Sequence, residues 1–174
     1  ATGDVSGTDR VGGLVGSTST SLTSSYSTGA VHGARCVGGL VGMNEGEIAN
    51  CYTRGLVWGT QYLGGLVGIN CRTIVNGYAT GLVVGGQAIG GLVSPDDGYS
   101  KASVVGSFWD MQTTRQATST GGTGKSTINM QSGATFLDAG WDFVGETDNG
   151  TQDIWWIEEG QDYPRFAWEL ESDG

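Results

Sequence analysis

Three stretches of this chain set reactive residue types at spacings that chemistry could use. Gly121-Gly-Thr-Gly-Lys-Ser-Thr127 looks like part of a phosphate-binding loop. Such a loop needs a glycine five residues before Gly124, where Ser119 stands, and a buried strand ahead of it. Arg115–Thr120 is polar instead, so the stretch reads as a connector. Glu146, Asp148, Asn149 and Asp153 gather acidic and amide oxygens around Gly150, as calcium loops do. The bidentate Glu that closes such a loop is missing, so an ordinary polar turn is the simpler reading. Calcium is the one cofactor these residues leave open. Asp96, Asp97, Tyr99 and Lys101 form the third group. Some β-helix enzymes cut polysaccharides with carboxylates or a basic residue on such a face, but a solvated insertion is the simpler reading of this cluster. His32 is the single histidine, and no nucleophile and acid are spaced to make a triad with it.

Aromatic residues offer a different chemistry. Trp58 and Tyr62 lie four apart near a turn, which makes them the better exposed pair for contact with a sugar ring. Tyr26, Tyr52 and Tyr78 recur at equal intervals and read as a structural ladder. A flat ice-binding face would need parallel threonine columns. The column Thr2, Thr28, Arg54, Thr80 is interrupted by Arg54 and has no partner column.

Composition narrows the function classes. The chain has 174 residues, 33 of them Gly and 2 Pro, with a net charge of -10. Scarce Pro and periodic glycines argue for order rather than disorder. The acidity argues against a nucleic-acid partner. No apolar run reaches the ~18 residues of a membrane helix. One His and three scattered Cys make a zinc site of ordinary spacing improbable. With no initiating Met and no signal peptide, the chain is expected to be a processed form, an excised domain or a fragment.

The elements that position these residues come from a repeat. Val11–Gly16, Val37–Gly42, Leu63–Gly68 and Ile89–Ser94 each read as an apolar residue followed by Gly-Gly-Leu-Val, and start 26 residues apart. Leu22, Ile48 and Ile74 keep the same step, as do Gly3, Gly29, Gly55 and Gly81, and Val5, Val31, Val57 and Val83. Each period holds three short apolar or β-branched runs separated by turn residues, and none has a helical period. Three short strands per period describe one coil of a parallel β-solenoid, so the expected fold is all-β with about four coils. The Gly-Gly pairs are expected either at corners with positive φ or where backbones approach closely. Cys36, Cys51 and Cys71 fall in three different columns, which favours free thiols.

The four GGLV segments, with Asn50–Gly55 and Asn76–Gly81, resemble the GLUG-motif repeats of large secreted and surface proteins of bacteria. The likeness covers roughly residues 1–110. Ser107–Asp110, Ala139–Phe143 and Tyr163–Phe166 look like the closing segment that follows such arrays. The resemblance implies an extracellular or cell-surface, adhesin-like or polysaccharide-associated setting, and it transfers no catalytic residue.

Periodicity fades in the fourth repeat, where Pro95-Asp-Asp-Gly98 intrudes and Ser107-Phe108 arrives four residues late. Charge changes at the same place: residues 1–107 carry 6 acids and 5 bases, residues 108–174 carry 12 and 3, with five of the six Trp. The expected division is therefore a solenoid over 1–107 and an acidic, aromatic-rich cap over 108–174. The first coil begins without a predecessor, which leaves a strand edge for something to cover. The expectation is a non-enzymatic structural or adhesive segment whose partners are further repeats of the same protein or end-to-end copies of itself. A carbohydrate-binding module using Trp58 and Tyr62, with polysaccharide as partner, is the alternative.

Overall fold

The computed structural model describes residues 1–95 and 102–172, which form two compact units, Ala1–Lys125 and Ser126–Gly174. Strand formation in the first unit follows from local pattern. Val31–Ala34 alternates buried Val31 and Gly33 with outward His32 and Ala34, as a strand with one buried face does.

Four coils result. The first holds β1 (Val5–Ser6), β2 (Asp9–Gly12), β3 (Val15–Thr18) and β4 (Leu22–Ser27). The second holds β5 (Val31–Gly38), β6 (Val41–Asn44) and β7 (Glu47–Thr53), and the third β8 (Val57–Gly64), β9 (Val67–Asn70) and β10 (Thr73–Ala79). The fourth holds β11 (Val83–Gly90), β12 (Ser103–Val105) and β13 (Phe108–Asp110), and β14 (Thr123–Lys125) follows. Like strands stack into three parallel sheets. Sheet I runs β1/β2-β5-β8-β11, sheet II runs β3-β6-β9, and sheet III runs β4-β7-β10, then β12 and β13, then β14. Partners sit one repeat apart, as in Val31↔Val57 and Tyr52↔Tyr78, so the fold is a parallel β-solenoid. In the fourth coil the step lengthens: Tyr78 pairs with Phe108, which absorbs the four extra residues seen in the sequence.

Two apolar columns fill the interior. Val11, Val31, Val37, Val57, Leu63 and Val83 form one cluster beside sheet I. Leu40, Val41, Ile48, Leu66, Ile74 and Leu92 belong to the other, which includes Trp109. Val37 and Leu40 are both fully buried although three residues apart, because the chain bends between β5 and β6 at Gly39-Leu40.

The glycine pairs owe their identity to close approach. They do not take positive φ. A Cβ on Gly38 would run into the Val41 carbonyl oxygen, and one on Gly39 into the Gly65 carbonyl of the next coil. Positive φ falls elsewhere, in two other columns, the second of which ends on Gly106 at φ 54° in the fourth coil. Arg10, Cys36, Tyr62 and Ala88 take φ between 52° and 57°, and Ser24, Asn50 and Asn76 between 45° and 52°. Asn tolerates this left-handed geometry; Tyr62 and Ala88 hold it against their preference.

Residues 108–125 belong to the first unit, so the break expected between Ser107 and Phe108 falls within it. Their strands extend sheet III, and Trp109 packs into the core with Leu92. The Ser/Thr/Gly-rich stretch read as a connector closes the fourth coil. Thr120 N–H donates to Val93 O, Gly91 N–H to Thr118 O, and Ser119 Oγ accepts from Val93 N–H. Gln116 Nε2 reaches Val83 O at 2.8 Å. Lys125, the lysine of the phosphate-loop look-alike, lies in β14 with its ammonium 5.5 Å from the Phe108 ring centroid.

The second unit is built on rings. Phe136, Trp141, Trp155 and Phe166 are fully buried, with successive centroids 4.8, 4.5 and 4.6 Å apart. α1 (Met111–Thr114) lies in the first unit; α2 (Thr127–Met130) and α3 (Gly133–Leu137) lie in the second, with β15 (Trp155–Trp156) antiparallel to β16 (Arg165–Phe166). Glu159 supplies what the α3 sequence lacks at its start, accepting from Gly133 N–H and Ser132 Oγ at 2.8 Å each. Those donors hold its carboxyl below the usual glutamate range, the Gly133 amide contributing most.

Candidate functional site

Strand alternation puts Val57 in the core and Trp58 on the opposite face of β8. His32 lies one coil below in register, and its ring stacks on the indole at 3.5 Å with a 17° interplanar angle. Trp58 remains 46% exposed, and Val84 above it 38%. The ring pair fixes the indole's orientation and contributes about 0.5–1.5 kcal/mol beyond area burial. Among the described residues of sheet I, no other aromatic ring is as exposed.

Tyr62 serves a different neighbourhood. Its left-handed backbone and half-buried ring place it against the cluster of Cys36, Met43 and Ile69, and the Arg35 guanidinium sits 5.7 Å from its centroid. Of the two aromatics expected to contact sugar, Trp58 is the open one. His32 stands 26 residues before Trp58, and that shared column is the signal that could have placed one ring on the other. Arg35 could not be tied to Tyr62 before the left-handed bend was known.

The tyrosine ladder is structural. Tyr26, Tyr52 and Tyr78 stack with centroids 5.0 Å apart, the spacing of parallel strands. Tyr52 and Tyr78 are buried. Arg54 lies 5.4 Å from the Tyr52 centroid and donates from Nη2 to Tyr78 Oη at 3.2 Å. The arginine that breaks the threonine column therefore clamps the ladder.

The loop considered for calcium is organised by backbone amides. Glu146 accepts from Asp148 N–H at 2.8 Å and Asn149 N–H at 3.0 Å through Oε2, and from Phe143 N–H through Oε1. Asn149 Nδ2 donates to Leu137 O at 2.9 Å, and Asp153 Oδ1 accepts from Gly145 N–H. Asp148 is exposed. Among the described residues no group of three or more His, Cys, Asp or Glu is placed to hold a metal ion. Asp96, Asp97, Tyr99 and Lys101 lie outside the described residues.

The buried carboxylates also work locally. Asp110 Oδ1 caps α1 through Gln112 N–H and Thr113 N–H. Asp142 accepts from Gln152 N–H and Asp153 N–H. Cys36, Cys51 and Cys71 are joined in no disulfide. Burial pushes the Cys51 thiol up to about 12, with backbone hydrogen bonds opposing. Cys36 is also raised, first by burial and then by the nearby Asp9 carboxylate.

Residues 33–56 match the family described as the GLUG motif. That segment runs from Gly33 in β5 through β6 and β7 to Leu56, one full circuit of the three sheets. A 67-residue stretch is 43% identical to a protein of Evansella cellulosilytica that carries the provisional description of a Gly-rich membrane protein. The alignment covers 38% of this chain and 7% of that relative's length. No solved structure matches the chain.

Proposed function

We propose that this chain is a non-enzymatic structural segment of a bacterial surface protein, in which further GLUG coils stack beneath the first. One observation carries the reading. Leu40, Leu66 and Leu92 are fully buried, whereas Leu14 in the same column is 42% exposed. Among the described residues, β1 to β4 pair with the second coil alone. Covering a leucine contributes about 1.5–3 kcal/mol, so an added coil has a ready apolar floor. The long relative with a similar stretch, described as a membrane protein, is in keeping with a repetitive surface polypeptide. End-to-end fibres of this chain are less favoured, because β14 and Ser119-Thr120 already cover sheets III and II above the fourth coil.

The test is to place a copy of residues 27–52 ahead of Ala1, which continues the 26-residue register. The extended chain should melt at higher temperature. Leu14→Ala should cost about 2–3 kcal/mol there and well under 1 kcal/mol in the shorter chain. Equal melting temperatures, or equal cost of Leu14→Ala in both, would overturn the reading. Concentration-dependent filaments under negative stain would restore the fibre version.

The exposure of Trp58 favours a second reading, carbohydrate binding on sheet I. Glycan-array binding lost in Trp58→Ala and kept in Tyr62→Phe would support it; unchanged binding would remove it.

A further inference from the structure

We infer that the free edge of β11 is a docking strand for one extended peptide segment that repeats the apolar and small inward positions of the sheet I strands. β11 ends sheet I and pairs, among the described residues, with β8 alone. Val84, Gly85, Gly86 and Gln87 are all exposed. Sheet edges are usually blunted by charge or proline. The eight residues Val83–Gly90 contain neither. Gln116 ties down the Val83 carbonyl at one end, and the left-handed bend at Ala88 ends the straight run, leaving Val83–Gln87 as a template.

What can fit there is limited by the neighbouring sheets. One layer above the fourth coil, sheet III already has β14 on β13, and the sheet II side has Thr118–Thr120 hydrogen-bonded to Gly91 and Val93. A whole coil, or the fourth coil of a second copy, would meet both. A single strand meets neither. Among the described residues, sheet I is the one face left a layer short.

The columns state the chemistry of the occupant. Val5, Val31, Val57 and Val83 form the first inward column, Gly7, Gly33, Gly59 and Gly85 the second, and Val11, Val37, Leu63 and Ile89 the third. Leu63 is fully buried, while Ile89, its counterpart in the last coil, is half-buried. A parallel segment with an apolar residue first, a small one third and an apolar one seventh would continue the column of buried Val83, clear Gly85 and bury Ile89. Backbone hydrogen bonds supply the affinity and those alternate side chains the selectivity.

The probe is the acetylated, amidated peptide of residues 57–64, Val-Trp-Gly-Thr-Gln-Tyr-Leu-Gly, which has this pattern and lies on β5 in the fold. It is added to the whole chain and read by hydrogen exchange and calorimetry. Amides of Val83–Gly90 should gain protection. The peptide should bind at least tenfold more tightly than its scramble, and N-methylation of alternate amides should abolish binding. No protection of β11 at millimolar peptide would overturn the proposal. Protection confined to Val5–Gly12 would also overturn it, and would instead report the open first coil, leaving the functional reading intact. Self-association through Val83–Gly90 without peptide would replace the peptide with a second copy.

Discussion

Asn44 Nδ2 donates to Asn70 Oδ1 at 2.8 Å, side chain to side chain across successive coils, with both residues buried. Asn44 Oδ1 in turn accepts from Gly46 N–H, and Asn70 Nδ2 donates to Arg72 O. The pair therefore holds the turn after sheet II in two coils at once. Asn70→Ala would strip Asn44 of its best acceptor, leaving Thr73 O at 3.4 Å. A buried polar group left unpaired costs about 1–3 kcal/mol. Chemical denaturation should show a loss of that size, and Asn70→Asp should not recover it at pH 7.

Ser27 and Thr53 occupy one column but differ in satisfaction. Thr53 Oγ1 donates to Gly65 O at 2.8 Å, whereas Ser27 Oγ is buried with no hydrogen-bond partner among the described residues. Ala79 fills the same column one coil higher and is fully buried. Ser27→Ala should therefore leave stability unchanged or raise it by up to about 1 kcal/mol. Thr53→Ala should lower it by about 1 kcal/mol or more. A clear loss in Ser27→Ala would contradict the assignment of its hydroxyl.

Ala88 holds φ 53° beside an exposed strand. Left-handed geometry costs an L-residue about 1–2 kcal/mol, against about 0.5–1 kcal/mol for the extra freedom of unfolded glycine. Ala88→Gly should stabilise by roughly 0.5 kcal/mol, the difference of those two costs. Ala88→Val should destabilise by more than about 1 kcal/mol, since a β-branched residue fits that region worst. Thermal melts of the two variants should move in opposite directions.

Cys51 gives the solenoid an alkaline limit. Its folded pKa is raised from 9.0 to about 12, chiefly by burial. A raised folded pKa means that the contribution is fully present below 9.0 and is lost as pH rises through that window toward 12. Stability should fall across this range, and Cys51→Ala should flatten the fall. Thiol labelling at neutral pH should modify half-buried Cys71 before Cys51, which should react only on unfolding.

Calcium should leave the second unit unmoved. The Glu146 carboxylate already meets three backbone amides. Adding calcium chloride or EDTA should not shift the melting temperature. A calcium-dependent rise of several degrees that Glu146→Gln removes would put the ion back in this loop.

The repeat made most of the solenoid legible. Columns such as Val31–Val57 and Tyr52–Tyr78 become strand partners without adjustment, because each coil contacts the ones one period away. Ser126, a residue type that favours helix starts, caps α2 through Asn129 N–H. Less visible was the site. Trp58 and Tyr62 look alike by spacing, and the left-handed turn at Tyr62 sends one to a packed cluster while the other stays in water.

The sequence by itself determined the period, the strand register and the identity of the stacked columns, because identical side chains recurring every 26 residues admit one parallel alignment. Only the tertiary structure decided how the array is closed and where it stays open. Gln116 on Val83, Thr120 on Val93 and Trp109 against Leu92 are single contacts without a periodic counterpart, so no column announces them. The glycine pairs were likewise undecided until the coils met. Their need is for room beside a neighbouring carbonyl, a distance that exists only once one coil lies on the next.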